Sequence, residues 1–235
     1  AGAAAPPHTD LCLGAAGGVL RVWLFRDVKN VECACEGMGK GGLGLAGTDA
    51  DPLTSLSLLP LSSLRAAVVA GTIEPDFAFL NAALVASAAT LRLAAFAARA
   101  AGLRARRRTR SEHAELVLAL SGGRNVCGER EGGGEEVVGV EAAADPCPLF
   151  PLLESHALNT FGLAPDAAHV LVARFDPSEG DGAAAAAAVD GAVESLESLA
   201  ALTDGAALRS AYKIGAGEVG PVEDCVACRI AGREC

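Results

Sequence analysis

Arg104, Arg106, Arg107, Arg108 and Arg110 place five guanidinium groups within the seven residues 104–110, "RARRRTR". A guanidinium is a planar fork of donors that pairs bidentately with phosphate, and its face stacks on an unpaired base. The surroundings sharpen the signal. From Phe77 to Ser111 the chain holds seven arginines and no acidic residue, yet the 235 residues together carry a formal charge of −10, which leaves −17 on the other 200. A negative protein with one positive patch repels a polyanion everywhere except at that patch, the footprint expected for polyphosphate or nucleic acid. Equally, a run of cations can be the solvated end of a helix. The aromatic partners that accompany single-strand binding are distant, the nearest being Phe79 and Phe96. Composition alone leaves both readings open.

Other reactive residues are less organised. Cys225 and Cys228 form a CxxC, but no second ligand pair stands at zinc spacing. His8, His113, His156 and His169 are isolated, and Cys33 and Cys35 make only a CxC in a glycine-rich stretch. A redox CxxC wants its first sulfur at a helix N-terminus after a strand, whereas Cys225 falls inside a predicted helix, so the pair reads as two small core residues. "GMGKGGLG" (37–44) fails as a phosphate loop because Gly41 follows Lys40 where Ser or Thr is required. No nucleophile, base or metal set can be assembled, so no catalytic residue, metal or cofactor is assigned; the absence of a motif lowers the weight of an enzymatic reading without excluding it.

The elements that must position the arginines are legible in part. "VLRVWLF" (19–25) is apolar on both faces, as in an interior strand, and "AELVLALS" (114–121) and "HVLVARF" (169–175) read as further strands. "LSSLRAAVVAG" (61–71) has helical spacing, with Ser62 or Ser63 as cap and Gly71 as stop. "FLNAALVASAATLRLAAFAARAAG" (79–102) reads as one long, central, apolar helix stopped by Gly102, which delivers the chain into the arginine run. "LFPLLESHALNTFG", "DGAVESLESLAAL", "DGAALRSAYKI" and "GPVEDCVACRIAG" read as helices, and the hexa-alanine run 183–188 as low-complexity sequence. In the last helix Val222, Val226 and Ile230 recur every four residues as a narrow apolar stripe suited to a partner. The fold expected is α/β (α+β): one domain over 11–235, a mixed sheet packed with helices, carrying glycine-rich insertions at 33–58 and 126–149. The N-terminal "AGAAAPPHTD" is not a secretory signal as it stands, no apolar run reaches the roughly 20 residues of a membrane span, and reduced thiols in a soluble intracellular protein are expected.

"LFRDVKN" (24–30), "LRAAVVAGTI" (64–73), "FAFLNAALVASAATLRLAAFAARAA" (77–101), "RRTRSEHAELVLALSGGRN" (107–125), "ALNTFGLAPDAAHVLVARF" (157–175), "SAYKI" (210–214) and "VEDCVACRI" (222–230) follow in the order and spacing of the TPRKB family. That family is the small kinase-binding subunit of the KEOPS (EKC) complex, and the sequence resembles it over most of residues 19–232. The resemblance implies a non-enzymatic α/β subunit that binds the small kinase/ATPase subunit of KEOPS, and through it the other subunits. It also implies that the chain presents the tRNA 3′ CCA tail to a complex that threonylcarbamoylates the adenosine beside the anticodon, in nucleus and cytoplasm. The implied tRNA-binding residues are Arg107, Arg108, Arg110, Ser111, Arg124 and Asn125, with Glu115 in the element that follows. The implied kinase-facing residues are Val222, Val226 and Ile230 on the C-terminal helix. Without the resemblance, a free-standing single-stranded RNA-binding module and a small-molecule enzyme with an unrecognised site are the alternatives.

Overall fold

A computed structural model describes residues 6–29, 60–70, 72–122, 150–164 and 166–232, without the side chains of Val69 and of residues 150–155. Both expected insertions, 33–58 and 126–149, lie outside the described residues, as do Arg124, Asn125, Cys33, Cys35 and Lys40.

Among the described residues five strands build the sheet. β1 (Thr9–Cys12), β2 (Val19–Arg26), β4 (Val170–Phe175) and β3 (Ala78–Asn81) lie in the order β1-β2-β4-β3, and β5 (Ala192–Glu194) pairs with the far end of β2. Every pairing among the described residues is antiparallel, Trp23 standing opposite Val172 and Phe79 opposite Val172 on the other side. The mixed α and β composition is as expected, while the expected mixed sheet is antiparallel here.

Side-chain alternation along the strands divides the interior in two. Leu20, Val22 and Leu24 of β2, Leu171, Ala173 and Phe175 of β4 and Leu80 of β3 face one core. Trp23, Phe25, Phe79, Val170 and Val172 face the other. That is why "VLRVWLF" and "HVLVARF" read as apolar on both faces: helices cover the sheet on each side. On the second side lie α1 (Leu61–Ala70), through Leu61 and Leu64, and α5 (Asp181–Ala188), through Ala184, Ala185 and Ala188. The hexa-alanine run is therefore a working helix, whose small side chains allow close approach to the sheet. On the first side lie α2 (Ala88–Leu103), α3 (Glu112–Leu120), α4 (Phe150–Phe161), α6 (Leu199–Leu202), α7 (Gly205–Ala211) and α8 (Val222–Ala231).

The structure corrects several sequence expectations. Residues 114–121 are not a strand but most of α3, in which every residue from His113 to Leu120 is buried. A helix buried all round has no periodicity, and a short apolar run cannot tell it from a buried strand. Residues 79–102 are not one helix. Asn81 ends β3 and accepts a hydrogen bond from the Ala83 N–H (3.1 Å), starting a short 3₁₀ turn over Ala82–Leu84. Ser87 then opens α2 with a capping box: its hydroxyl accepts from the Thr90 N–H (3.2 Å), and the Thr90 hydroxyl accepts from the Ser87 N–H (3.0 Å). Gly102 lies within α2, and the left-handed residue after the helix is Ala105 (φ 52°). "DGAVESLESLAAL" holds β5 and a 3₁₀ turn, Leu196–Ser198, before the short α6. α1 begins at Leu61, directly after Pro60, so neither Ser62 nor Ser63 is its cap.

Candidate nucleic-acid interface

The arginines sit on the connection between α2 and α3, residues 104–111. Ser111 has extended backbone (φ −135°, ψ 162°) and its hydroxyl accepts from the Ala114 N–H at 3.1 Å, which starts α3 as an N-cap. Behind the loop stands Glu115, 3% exposed in the first turn of α3. One of its oxygens, Oε2, accepts from the Arg108 N–H (3.0 Å), the Thr109 N–H (3.1 Å) and the Thr109 hydroxyl (3.0 Å). The Thr109 hydroxyl also lies 2.8 Å from the Ser111 carbonyl. The loop backbone is thus stitched to α3 from beneath.

The arginine side chains divide by role. Arg99 lies apart from the loop arginines. Its Nη1 donates to Glu112 Oε2 at 2.6 Å, its Nη2 donates to Asp176, and its guanidinium lies 5.6 Å above the Phe175 ring. Asp176 in turn accepts from the Val19 N–H at 3.3 Å, so one clasp joins α2, α3, the end of β4 and the start of β2. The Arg99 hydrogen bond holds the Asp176 carboxyl below its usual pKa, against the opposing pull of partial burial. Arg110 donates to the Val68 carbonyl in the last turn of α1, where a cation is favoured. Arg107, exposed, stands 4.0 Å from Glu112 Oε1. Arg104 and Arg106 are exposed and make no ion pair among the described residues. Arg108 is half-buried. The structure thus brings Arg104, Arg106, Arg107, Arg108, Arg110 and Ser111 together on one loop.

Next to the loop, His113 links α3 to the sheet. Its Nε2 accepts from the Phe175 N–H at 3.1 Å, which leaves the proton on Nδ1 to be donated to Asp76 Oδ2 at 3.1 Å. Burial alone would push the Asp76 carboxyl up, but His113, Ser111 and Arg110 outweigh it and hold it below the ordinary carboxylate value. Sequence reasoning missed Asp76, Asp176 and Glu112 as neighbours of the arginines, because all three come from outside the arginine-rich segment.

The C-terminal helix corrects the expected kinase-facing stripe. Val226 and Ile230 are 0% and 1% exposed, and Val222 is partly buried against the same core. The stripe points inward, where α8 packs on α2, because an acid-rich face (Glu223, Asp224) takes the water side. Val226 and Ile230 are core residues of this chain, and Val222 keeps part of its surface. On α8 the exposed residues are Glu223, Asp224, Cys228 and Ala231. Cys225 is half-buried against the core as expected, but Cys228 is exposed and is not a core residue. Among the described residues no three His, Cys, Asp or Glu side chains gather as a metal ion would require, and no helix is long and apolar enough to cross a membrane. On the outer side of α2, Ala89, Arg92, Leu93 and the 38% exposed Phe96 face Leu13 across an open groove of about 400 Å³.

A family model described as kinase binding protein CGI-121 matches residues 60–128 and 155–234. No curated protein matches the chain. The two matched stretches hold α1 to α3 and all but the first turns of α4 through to α8, and therefore include the whole arginine loop and its supports.

Proposed function

The chain belongs to the CGI-121 kinase-binding protein family, the TPRKB family that the sequence resembles, and from that premise we propose that it serves as a non-catalytic adaptor. It joins the small kinase/ATPase subunit of KEOPS and holds the tRNA 3′ CCA tail on the α2–α3 loop, in support of threonylcarbamoylation beside the anticodon. The observation that carries the RNA half is the loop itself. Arg104, Arg106 and Arg107 are exposed beside a backbone that Glu115 holds at Arg108 and Thr109, on a chain that is otherwise acidic. Guanidinium groups held in this way neutralise phosphates and stack on unpaired bases, and a single-stranded tail presents both.

Two measurements on the full chain test the reading. Immobilised protein captures the cognate kinase subunit with or without RNA. Binding to a tRNA with an intact tail falls on removal of CCA, and the double variant Arg107→Glu/Arg108→Glu loses that dependence while still capturing the kinase. About three phosphate contacts would give a salt slope near −2, at roughly 0.7 per phosphate for a single strand. Kinase capture without any CCA-dependent RNA binding would leave the kinase half standing and refute the RNA half. RNA binding without kinase capture would favour a free-standing RNA-binding module.

A further inference from the structure

We infer that Glu115 is the positioning residue of the arginine loop: its buried carboxylate sets the backbone conformation from which the arginines engage single-stranded RNA. The inference rests on the RNA-binding reading above. It starts from a conflict of charge. A carboxylate beneath a cationic loop lowers the potential that attracts RNA, so on electrostatics alone residue 115 would be better apolar. Yet Glu115 is 3% exposed, and it meets the loop through main-chain donors, the N–H groups of Arg108 and Thr109, together with the Thr109 hydroxyl. Successive N–H groups converging on one oxygen form a nest, which fixes the φ and ψ of the residues that carry them. Those residues are the middle of the Arg107–Arg110 run. With the nest closed, the four-residue run enters α3 in one conformation, with Arg107 beside Glu112 and Arg110 reaching the Val68 carbonyl of α1. With it open, the same guanidinium groups remain but must be ordered by the RNA, and the lost conformational entropy comes out of the affinity.

The two accounts predict opposite signs. Glu115→Ala and Glu115→Gln each raise the net charge by one, so a purely electrostatic role makes both bind RNA at least as tightly as the parent. In a positioning role only the alanine variant weakens binding, because a glutamine carbonyl oxygen still accepts from the Arg108 and Thr109 N–H groups. The experiment measures binding of a fluorescent single-stranded oligoribonucleotide ending in CCA at several salt concentrations, with kinase capture in parallel. Expected are about tenfold weaker binding and a shallower salt slope for Glu115→Ala, affinity within about twofold of the parent for Glu115→Gln, and kinase capture unchanged in both. Thr109→Val, which removes the hydroxyl that reaches both Glu115 (3.0 Å) and the Ser111 carbonyl (2.8 Å), weakens binding about threefold and decides the matter if Glu115→Ala does not fold. Alanine and glutamine variants that bind equally, whether tightly or weakly, overturn the positioning role, and so does unaltered binding by Thr109→Val. Arg107→Glu/Arg108→Glu is measured alongside. If that variant keeps full affinity, the RNA-binding reading itself fails, which is distinguishable from a parent that depends on the arginines but not on Glu115.

Discussion

Replacing Val226 by alanine decides whether the apolar stripe of α8 is core or contact surface. The side chain is 0% exposed and lies where α8 meets α2. Removing two buried methyl groups forfeits about 0.8 kcal/mol each in transfer free energy. A residual cavity of a few tens of Å³ adds about 1 kcal/mol at 24 cal/mol per Å³. The expected loss is therefore about 2.5 kcal/mol, or roughly 5–10 °C in Tm for a chain of this size. Trp23 is the only tryptophan and is 1% exposed, so urea unfolding followed by its fluorescence reports the loss directly. Val226→Asp, which buries a carboxylate with no partner, should not fold at all. Cys228→Ser on the exposed face should stay within about 0.5 kcal/mol of the parent. A Val226→Ala protein as stable as the parent, or a Val226→Asp protein that folds and loses only kinase capture, would refute the core assignment and return the stripe to the partner surface.

Two further outcomes probe the clasp that carries the arginine loop. Gly18 has φ +83°, and a Cβ there would overlap Arg99 Nη2 and stand 2.6 Å from Asp176 Oδ1. Gly18→Ala should lower stability by about 2 kcal/mol, read as a shifted urea midpoint at constant m, and an unchanged midpoint would mean the clasp does not form. Asp176 has its folded pKa depressed by the Arg99 hydrogen bond, so its contribution is present above the unfolded value near 3.9 and disappears as pH falls through the folded one. Asp176→Asn should therefore lose stability at pH 7 by an amount that stays constant down to about pH 5 and closes below about pH 4; a gap of the same size at pH 3 would show that the carboxylate charge is not what the clasp uses.

How much of the fold the sequence carried depends on whether an element has a polar side or a marked boundary. β2, β4, α1, α7 and α8 were legible because their patterns end at turns, caps or charged faces. α3 was not, since eight successive buried residues erase the 3.6-residue period, and only Ser111 followed by Glu112 marked its start. The β3–α2 join was hidden for a different reason. Alanine and leucine suit either element, so the break at 81–87 was encoded solely in the side-chain hydrogen bonds of Asn81 and Ser87, which a count of apolar spacings does not weigh.

The candidate site shows the limit of charge counting. By sequence the segment from Phe77 to Ser111 holds seven cations and no anion. Besides Asp76, which lies near Arg110, folding places three carboxylates against it from elsewhere: Glu112 and Asp176 on Arg99, and Glu115 beneath Arg108 and Thr109. The patch is therefore less positive than its linear count. What it gains is order, because each carboxylate fixes either a guanidinium or the backbone that carries one. A loop with five unopposed cations would repel itself and sample many shapes. One whose supports are anionic, with Glu115 buried beneath Arg108 and Thr109, and whose outward groups are Arg104, Arg106 and Arg107, keeps the backbone in the middle of its run in one arrangement, which lowers the cost of ordering it on a strand.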